Sequence, residues 1–262
     1  MTLNELADWP VDNVSALLID GPSFGDLDSP YELMSVTKLL SAWAFLVAIE
    51  EGVFELDQPL GPPGSTVRHL LAHASGVGFD DRTQTKPAGT RRIYSSAGFE
   101  ILAEEVECVA EMPFAQYLAE AVFEPLGMAS SRLHGSAGHG ATSTVRDLER
   151  FARELLAPSL IAPETAREAF TVQFPALNGI VPGYGMHKPC PWGLGFEIHD
   201  HKSPHWMGPS MPADAAGHFG MSGTFLWVVP SQGKAVIVLT DRDFGDWAKP
   251  LWSDFNERLW TA

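Results

Sequence analysis

Short apolar blocks near both ends of the chain have the pattern of buried β-strands. Residues 14–20 are apolar up to a turn at Gly21-Pro22, which predicts a buried strand. Residues 223–229 and 234–240 form two more apolar blocks, and the segment Pro230-Ser-Gln-Gly233 between them predicts a β-hairpin. Strands from both chain ends therefore predict one shared sheet.

Helical periodicity dominates the rest of the sequence. It occupies residues 67–75, 97–112, 114–127 and 144–156, and a last helical stretch contains Trp247, Trp252, Phe255 and Leu259. Residues 174–209 are rich in Gly, Pro and aromatics and predict long loops with short strands. The expected fold class is α/β (α+β): one domain over residues 1–262 with an antiparallel sheet flanked by helices. Its α/β lobe spans about residues 1–60 and 180–262, and a mostly helical lobe, about 61–179, is inserted between them.

The stretch from Ser35 to Gly52 is apolar on nearly all sides, which is typical of a helix at the centre of a protein. Ser35 would lie in its first turn, and Lys38, three residues later, would face the same way and within reach of a direct hydrogen bond. A lysine buried in apolar surroundings has a lowered pKa and can take the proton of a serine hydroxyl. Alone, however, an SxxK match is weak, because a serine at a helix start is usually only a cap.

Charge and composition exclude several function classes. The 33 acidic residues outnumber the 17 basic ones, for a net charge of -16, which repels nucleic acids and anionic membranes. No basic run precedes an apolar stretch at the N-terminus, so we expect a cytoplasmic protein, and residues 39–49 are too few to span a bilayer. Cys108 and Cys190 lack metal-ligand spacing and are expected to be free thiols.

Two other motifs could indicate a different kind of active site. Gly21-Pro-Ser-Phe-Gly25 fits the GxSxG pattern, but turn-forming residues follow where a nucleophile elbow needs a helix, so we interpret Ser23 as part of a hairpin. His199, His201 and His205 could suggest a metal site, yet their loop context favours surface positions, and no metal or cofactor is expected.

Several further segments, taken in order, resemble the serine β-lactamase and penicillin-binding-protein superfamily, especially its class C and esterase branch. The matching segments are SVTK at 35–38, LLAHASG at 70–76, YSS at 94–96, PLGM at 125–128, STVRDL at 143–148 and HFG at 218–220. They correspond to that branch's SxxK, LLxHxSG, YxN, PLGM and "ST..DL" segments and to its KTG triad, which esterase-like members often carry as HxG.

The resemblance implies that Ser35 attacks a carbonyl to form an acyl-enzyme, which water then hydrolyses. Lys38 and the Tyr94 hydroxyl would shuttle the proton, since a phenol held near an ammonium is expected to be more acidic than usual. The N–H groups of Ser35 and Met221 would form the oxyanion hole. His73 is expected to be a structural hydrogen-bonding residue rather than a base.

Ser96, His218 and Gly220 would shape the substrate side, and two of them depart from the family pattern. Ser96 replaces an amide, and His218 replaces a lysine whose positive charge would attract a substrate carboxylate. Both departures favour small esters or neutral amides over β-lactams. The open alternatives are a β-lactamase or D-amino-acid peptidase, an acyltransferase, and a binding module of the same fold that has lost turnover.

Overall fold

The computed structural model describes residues 3–261, which contain one large antiparallel sheet, two small ones and helices on both faces of the large sheet. The strands are β1 (Val14–Leu18), β2 (Ser23–Phe24), β3 (Tyr31–Glu32), β4 (Arg132–Leu133), β5 (Ala141–Ser143), β6 (Gly179–Val181), β7 (Gly185–His187), β8 (Glu197–Ile198), β9 (Ala216–Gly220), β10 (Thr224–Val229) and β11 (Lys234–Thr240). The α-helices are α1 (Thr37–Glu50), α2 (Val67–Leu71), α3 (Ala97–Ala110), α4 (Phe114–Leu118), α5 (Val145–Leu156), α6 (Pro163–Ala169) and α7 (Ala248–Thr261).

The large sheet has the strand order β2-β1-β11-β10-β9-β8, and each neighbouring pair is antiparallel. Val14 of β1 lies opposite Thr240 of β11, so strands from the two ends of the chain are direct neighbours, which confirms the predicted sheet. The predicted hairpin between β10 and β11 is also present. The small sheets are β3-β5-β4 and β6-β7.

The continuous apolar runs of the central strands arise because both faces of the sheet are covered. Ile237 and Leu239 of β11 pack into the core that surrounds α1, whereas the alternate residues Val236 and Val238 pack into a second core with α7. Successive side chains of a strand point to opposite faces, so burying both faces requires apolar residues at every position.

Helix α1 is buried on all sides, as the sequence predicts, but it begins two residues later than expected. Ser35 lies in a 3-10 turn, Met34–Val36, that precedes α1, and Met34 has a φ of +45°. A non-glycine residue at positive φ is strained, and such strain must be held by surrounding contacts. Ser23 is exposed in β2, which pairs with β1, so the hairpin interpretation of the GxSxG segment is correct.

Among residues 3–261, no helix combines the length and the hydropathy needed to cross a membrane. Cys108 is exposed and Cys190 is buried, and both are free thiols.

Candidate active site

The turn that carries Ser35 is attached to the large sheet where β9 ends and β10 begins. The carbonyl of Leu33, two residues before Ser35, accepts a hydrogen bond from Thr224 Oγ1 at 3.0 Å. Gly220 packs against the same carbonyl, and a Cβ at Gly220 would lie only 2.2 Å from the Leu33 oxygen. Gly220 therefore acts by close packing, which brings the end of β9 against the Ser35 turn.

Lys38 lies in the first turn of α1 with its side chain completely buried. Its Nζ donates hydrogen bonds to Ser96 Oγ at 3.0 Å and to the carbonyl of Gly138 at 2.8 Å. Within the described residues Lys38 does not make the expected direct hydrogen bond to Ser35. Its two acceptors draw the amine toward the start of α3 and toward residues 134–140, the loop between β4 and β5 that we call the 138 loop. Burial lowers the pKa of Lys38 to about 7, although Glu100 and Asp80 act in the opposite direction.

Tyr94 precedes α3 and lies between Lys38 and the open side of the site. Lys38 Nζ is 4.6 Å from the centroid of the Tyr94 ring. The expectation of an acidic phenol is wrong: burial raises the pKa of Tyr94, and the interaction with Ser35 offsets only part of that effect. Within residues 3–261 the buried Tyr94 hydroxyl makes no hydrogen bond of ordinary geometry. Lys38 is therefore the group of the two that titrates near neutral pH.

His73 holds the segment that carries Tyr94 on both sides. Its carbonyl accepts the N–H of Ile93 at 2.8 Å, its Nδ1 accepts the N–H of Ser95 at 3.1 Å, and its ring lies 4.8 Å from the Tyr94 ring. Burial lowers the pKa of His73 well below the ordinary value, so the ring is neutral and carries its proton on Nε2. These contacts agree with the structural role expected for His73.

Ser96 faces Lys38 rather than the open pocket. Its side chain is in close contact with Gly138, at which a Cβ would lie 3.0 Å from Ser96 Cβ. The small serine at this position therefore fits the space that the 138 loop leaves, and a longer amide would meet the backbone of that loop.

A pocket of about 270 Å³ opens beside Ser35. Its lining residues are Ser35, Phe79, Tyr94, Pro182, Trp192, Glu197, His218, Phe219 and Met221. Ser35 and Met221, the two residues expected to supply the oxyanion hole, thus lie on one cavity. The Met221 N–H makes no hydrogen bond within the described chain. The N–H of Ser35 belongs to the 3-10 turn that precedes α1, and N–H groups at the start of a helix lack partners within it.

His218 of β9 is neutral in this pocket. Its Nδ1 donates a hydrogen bond to the carbonyl of Phe219 at 2.7 Å, and burial lowers its pKa to about 3. The remaining ring atom, Nε2, is a buried acceptor, and the ring lies 5.4 Å from that of Tyr94. His218 therefore offers no positive charge to a substrate carboxylate.

The pocket also contains a charged group, Glu197, that no sequence motif indicates. Its buried carboxylate accepts hydrogen bonds from Lys202 Nζ at 2.9 Å, His205 Nε2 at 3.0 Å and Trp206 Nε1 at 2.8 Å. Burial by itself would raise the pKa of Glu197, but Lys202 and His205 hold it well below its ordinary value. The carboxylate is therefore ionised, and Lys202 balances its charge.

The expectation that the histidines of this loop lie on the surface is wrong for two of them. His199 and His205 are buried, and of the three only His201 is exposed. His205 is buried together with Glu197, to which it donates a hydrogen bond. In residues 3–261 no group of histidine, cysteine and carboxylate side chains has an arrangement that could hold a metal ion.

Comparison with known proteins agrees with this geometry. A family model described as Beta-lactamase matches residues 25–255. The crystal structure of a protein described as a β-lactamase from Mycobacterium bovis is 50% identical, with a TM-score of 0.97 over 99% of this chain and 98% of that one. No curated protein gives a match to the chain.

More distant structures share the fold. A β-lactamase/D-alanine carboxypeptidase from Yersinia pestis has 18% identity and a TM-score of 0.75, with 97% of this chain and 95% of that chain covered. A hydrolase described as having promiscuous acyltransferase activity has 15% identity and a TM-score of 0.77, with 97% and 95% covered.

Proposed function

Because this chain belongs to the β-lactamase family of serine hydrolases, we propose that it hydrolyses neutral carboxylic esters through an acyl-Ser35 intermediate. Small amides with a good leaving group are the nearest extension of the same chemistry. Lys38 carries the proposal: a fully buried amine with a pKa near 7 and hydrogen bonds to uncharged acceptors only. Near neutral pH a large fraction of this amine is unprotonated and can accept a proton, unlike that of an ordinary lysine.

In the proposed acylation step, Ser35 Oγ attacks the ester carbonyl. The hydroxyl proton passes by way of the Tyr94 hydroxyl to Lys38, which becomes an ammonium. The negative charge on the carbonyl oxygen is stabilised by the N–H groups of Ser35 and Met221. When the tetrahedral intermediate collapses, the C–O bond to the alcohol breaks, and the alcohol leaves with the proton that Lys38 returns through Tyr94.

Deacylation would use the same groups in the same order. A water molecule attacks the Ser35 ester, Lys38 again receives a proton through Tyr94, and the carboxylic acid leaves as Ser35 Oγ regains a proton. The raised pKa of Tyr94 supports a relay role, since the neutral phenol can donate one proton as it accepts another. No metal or cofactor enters this scheme.

The charges of the pocket support a neutral substrate. His218 is uncharged at working pH, Glu197 is an anion already balanced by Lys202, and no lysine or arginine lines the pocket within residues 3–261. A substrate carboxylate, such as that of a penicillin or of a peptide ending in D-alanine, would meet no cation among the described residues that line the pocket.

β-Lactam hydrolysis is the second candidate, because the 50% identical protein from Mycobacterium bovis is described as a β-lactamase. The same Ser35 acyl-enzyme would form when the lactam C–N bond opens. The uncharged His218 disfavours this substrate relative to esters.

Intact-mass spectrometry after brief exposure to p-nitrophenyl acetate and to benzylpenicillin tests the proposal, with nitrophenol release followed in parallel. Ser35→Ala should abolish both the acyl adduct and turnover. The matched control is Ser23→Ala, which alters the exposed serine of the GxSxG segment and should behave like the wild type. Acylation that survives Ser35→Ala would overturn the proposal. Faster acylation by penicillin than by the ester would favour the β-lactamase alternative.

A further inference from the structure

We further infer the substrate class, and this inference rests on the proposed esterase function. The substrate is a neutral ester whose aliphatic chain is longer than the pocket, so that the chain crosses an apolar rim at the pocket entrance. The rim consists of Phe79, Ile180, Met186 and Met221. The ester group would lie at Ser35, the first carbons of the chain inside the pocket and the rest of the chain along the rim.

The size of the pocket limits what it can enclose. Its volume of about 270 Å³ lies at the small end of the range of about 300–1,000 Å³ that is usual for small-molecule pockets. Phe79, Pro182, Trp192, Phe219 and Met221 give most of its wall an apolar character. The ester atoms and a short chain would fill this space, so further methylenes must extend beyond it.

The rim stands out among the exposed side chains of the protein. Five large hydrophobic residues are exposed within residues 3–261: Phe79, Val109, Ile180, Met186 and Met221. Phe79 and Met221 line the pocket directly. Four of these five residues form the rim, and the fifth, Val109 on α3, does not belong to it.

Ile180 and Met186 extend the apolar surface along the β6–β7 hairpin. They are opposite each other in register, and both are exposed, whereas the alternate residues Val181 and His187 are buried. Pro182, at the turn of this hairpin, lines the pocket. The hairpin therefore continues the pocket wall into an exposed apolar strip, and such patches mark binding surfaces in soluble proteins.

The charge of the molecule selects an ester chain over an anionic lipid surface as the occupant. The net charge of -16 opposes docking on anionic bilayers. A single uncharged chain faces no such repulsion, and it gains affinity in proportion to the apolar area that it covers.

The test measures kcat/KM for p-nitrophenyl esters from acetate to decanoate. We expect kcat/KM to rise about twofold for each added methylene. This rise is smaller than the one expected for a fully buried chain, because the rim covers only one side of the chain. In Ile180→Ser, and in the double variant Ile180→Ser/Met186→Ser, the rise should flatten beyond butyrate while acetate turnover is retained. Val109→Ser, the matched exposed control, should reproduce the wild-type series.

A parallel series of acetate esters of alcohols from methanol to octanol shows whether the chain belongs to the acyl or to the alcohol side, and a rise in either series supports the inference. Ser35-dependent acetate turnover with no chain-length dependence in either series overturns it but leaves the proposed esterase function standing. An undiminished rise in the double variant overturns it as well. The absence of Ser35-dependent turnover with every ester would instead defeat the proposed function.

Discussion

Nδ1 of His73 accepts a hydrogen bond from the backbone N–H of Ser95 at 3.1 Å, directly beside Tyr94. The carbonyl of His73 accepts the N–H of Ile93 on the other side of Tyr94. Tyr94 is thus held through its two neighbours, and its hydroxyl can be placed near Ser35 without a strong hydrogen bond of its own.

Replacing His73 should impair catalysis more than substrate binding. His73→Phe keeps a ring against Tyr94 but leaves the N–H of Ser95 without an acceptor, so we expect kcat to fall by roughly 10–100-fold with KM little changed. His73→Asn should recover part of the loss, because its side-chain oxygen can accept and asparagine tolerates the φ of +55° at this position. Equal losses of kcat in both variants would contradict the role assigned to Nδ1.

The pH dependence of ester hydrolysis should follow Lys38. Its amine must be unprotonated to act as a base, so kcat/KM should rise about tenfold per pH unit below 7 and level off above it. His218, with its pKa near 3, should add no inflection between pH 5 and pH 9. A stopped-flow pH profile on p-nitrophenyl acetate measures this. A rate that still climbs steeply at pH 9 would exclude Lys38 as the base.

Ser96 offers a test of how closely the base is packed. Ser96→Asn would restore the amide of the family pattern, but its longer side chain would meet the 138 loop, and overpacking of this kind costs about 1–3 kcal/mol of stability. Ser96→Ala avoids the clash and removes only one acceptor of Lys38. We therefore expect urea denaturation to show a larger loss for Asn than for Ala. A larger loss of stability for Ser96→Ala than for Ser96→Asn would show that the 138 loop can move to accommodate the longer side chain.

Glu197 should matter for stability as well as for the pocket. Glu197→Gln leaves Lys202 buried without its counter-charge, and breaking a buried pair in this way costs about 3–5 kcal/mol. Glu164→Gln, which disrupts the exposed pair with Arg167, is the matched control and should leave the urea midpoint nearly unchanged. Similar midpoints for the two variants would show that the buried network contributes little.

Local signals account for what the sequence could predict. Burial of an element is visible in its own sequence when every position is apolar. This is so for β1, β10 and β11 and for the helix after Ser35, and these elements and the antiparallel sheet were therefore predictable. The local sequence also excludes the GxSxG segment as a nucleophile elbow, because turn-forming residues follow Ser23. The order of the SxxK, YxN and HxG segments supplied the site candidates.

Other features depend on packing between distant segments, which spacing does not encode. Lys38 turns from Ser35 to Ser96 and Gly138 because the 138 loop presents a carbonyl 100 residues away. The rise in the Tyr94 pKa depends on burial that no local pattern reveals. The sequence reveals neither the pocket position of Glu197 nor the burial of its partner His205, since a polar loop segment has the same sequence pattern whether it is exposed or paired inside.

The pairing of β1 with β11 has a consequence for synthesis of the protein. β1 pairs locally with β2, but its second neighbour, β11, lies more than 200 residues later, since Val14 pairs with Thr240. The turn at Ser35 is likewise held by Gly220 and Thr224. On a chain emerging from the ribosome, the edge of β1 that faces β11 and the sheet contacts of the Ser35 turn would stay unpaired until β9 to β11 had been translated. Such distant pairing slows folding, and the proposed nucleophile would take up its position only late in that process.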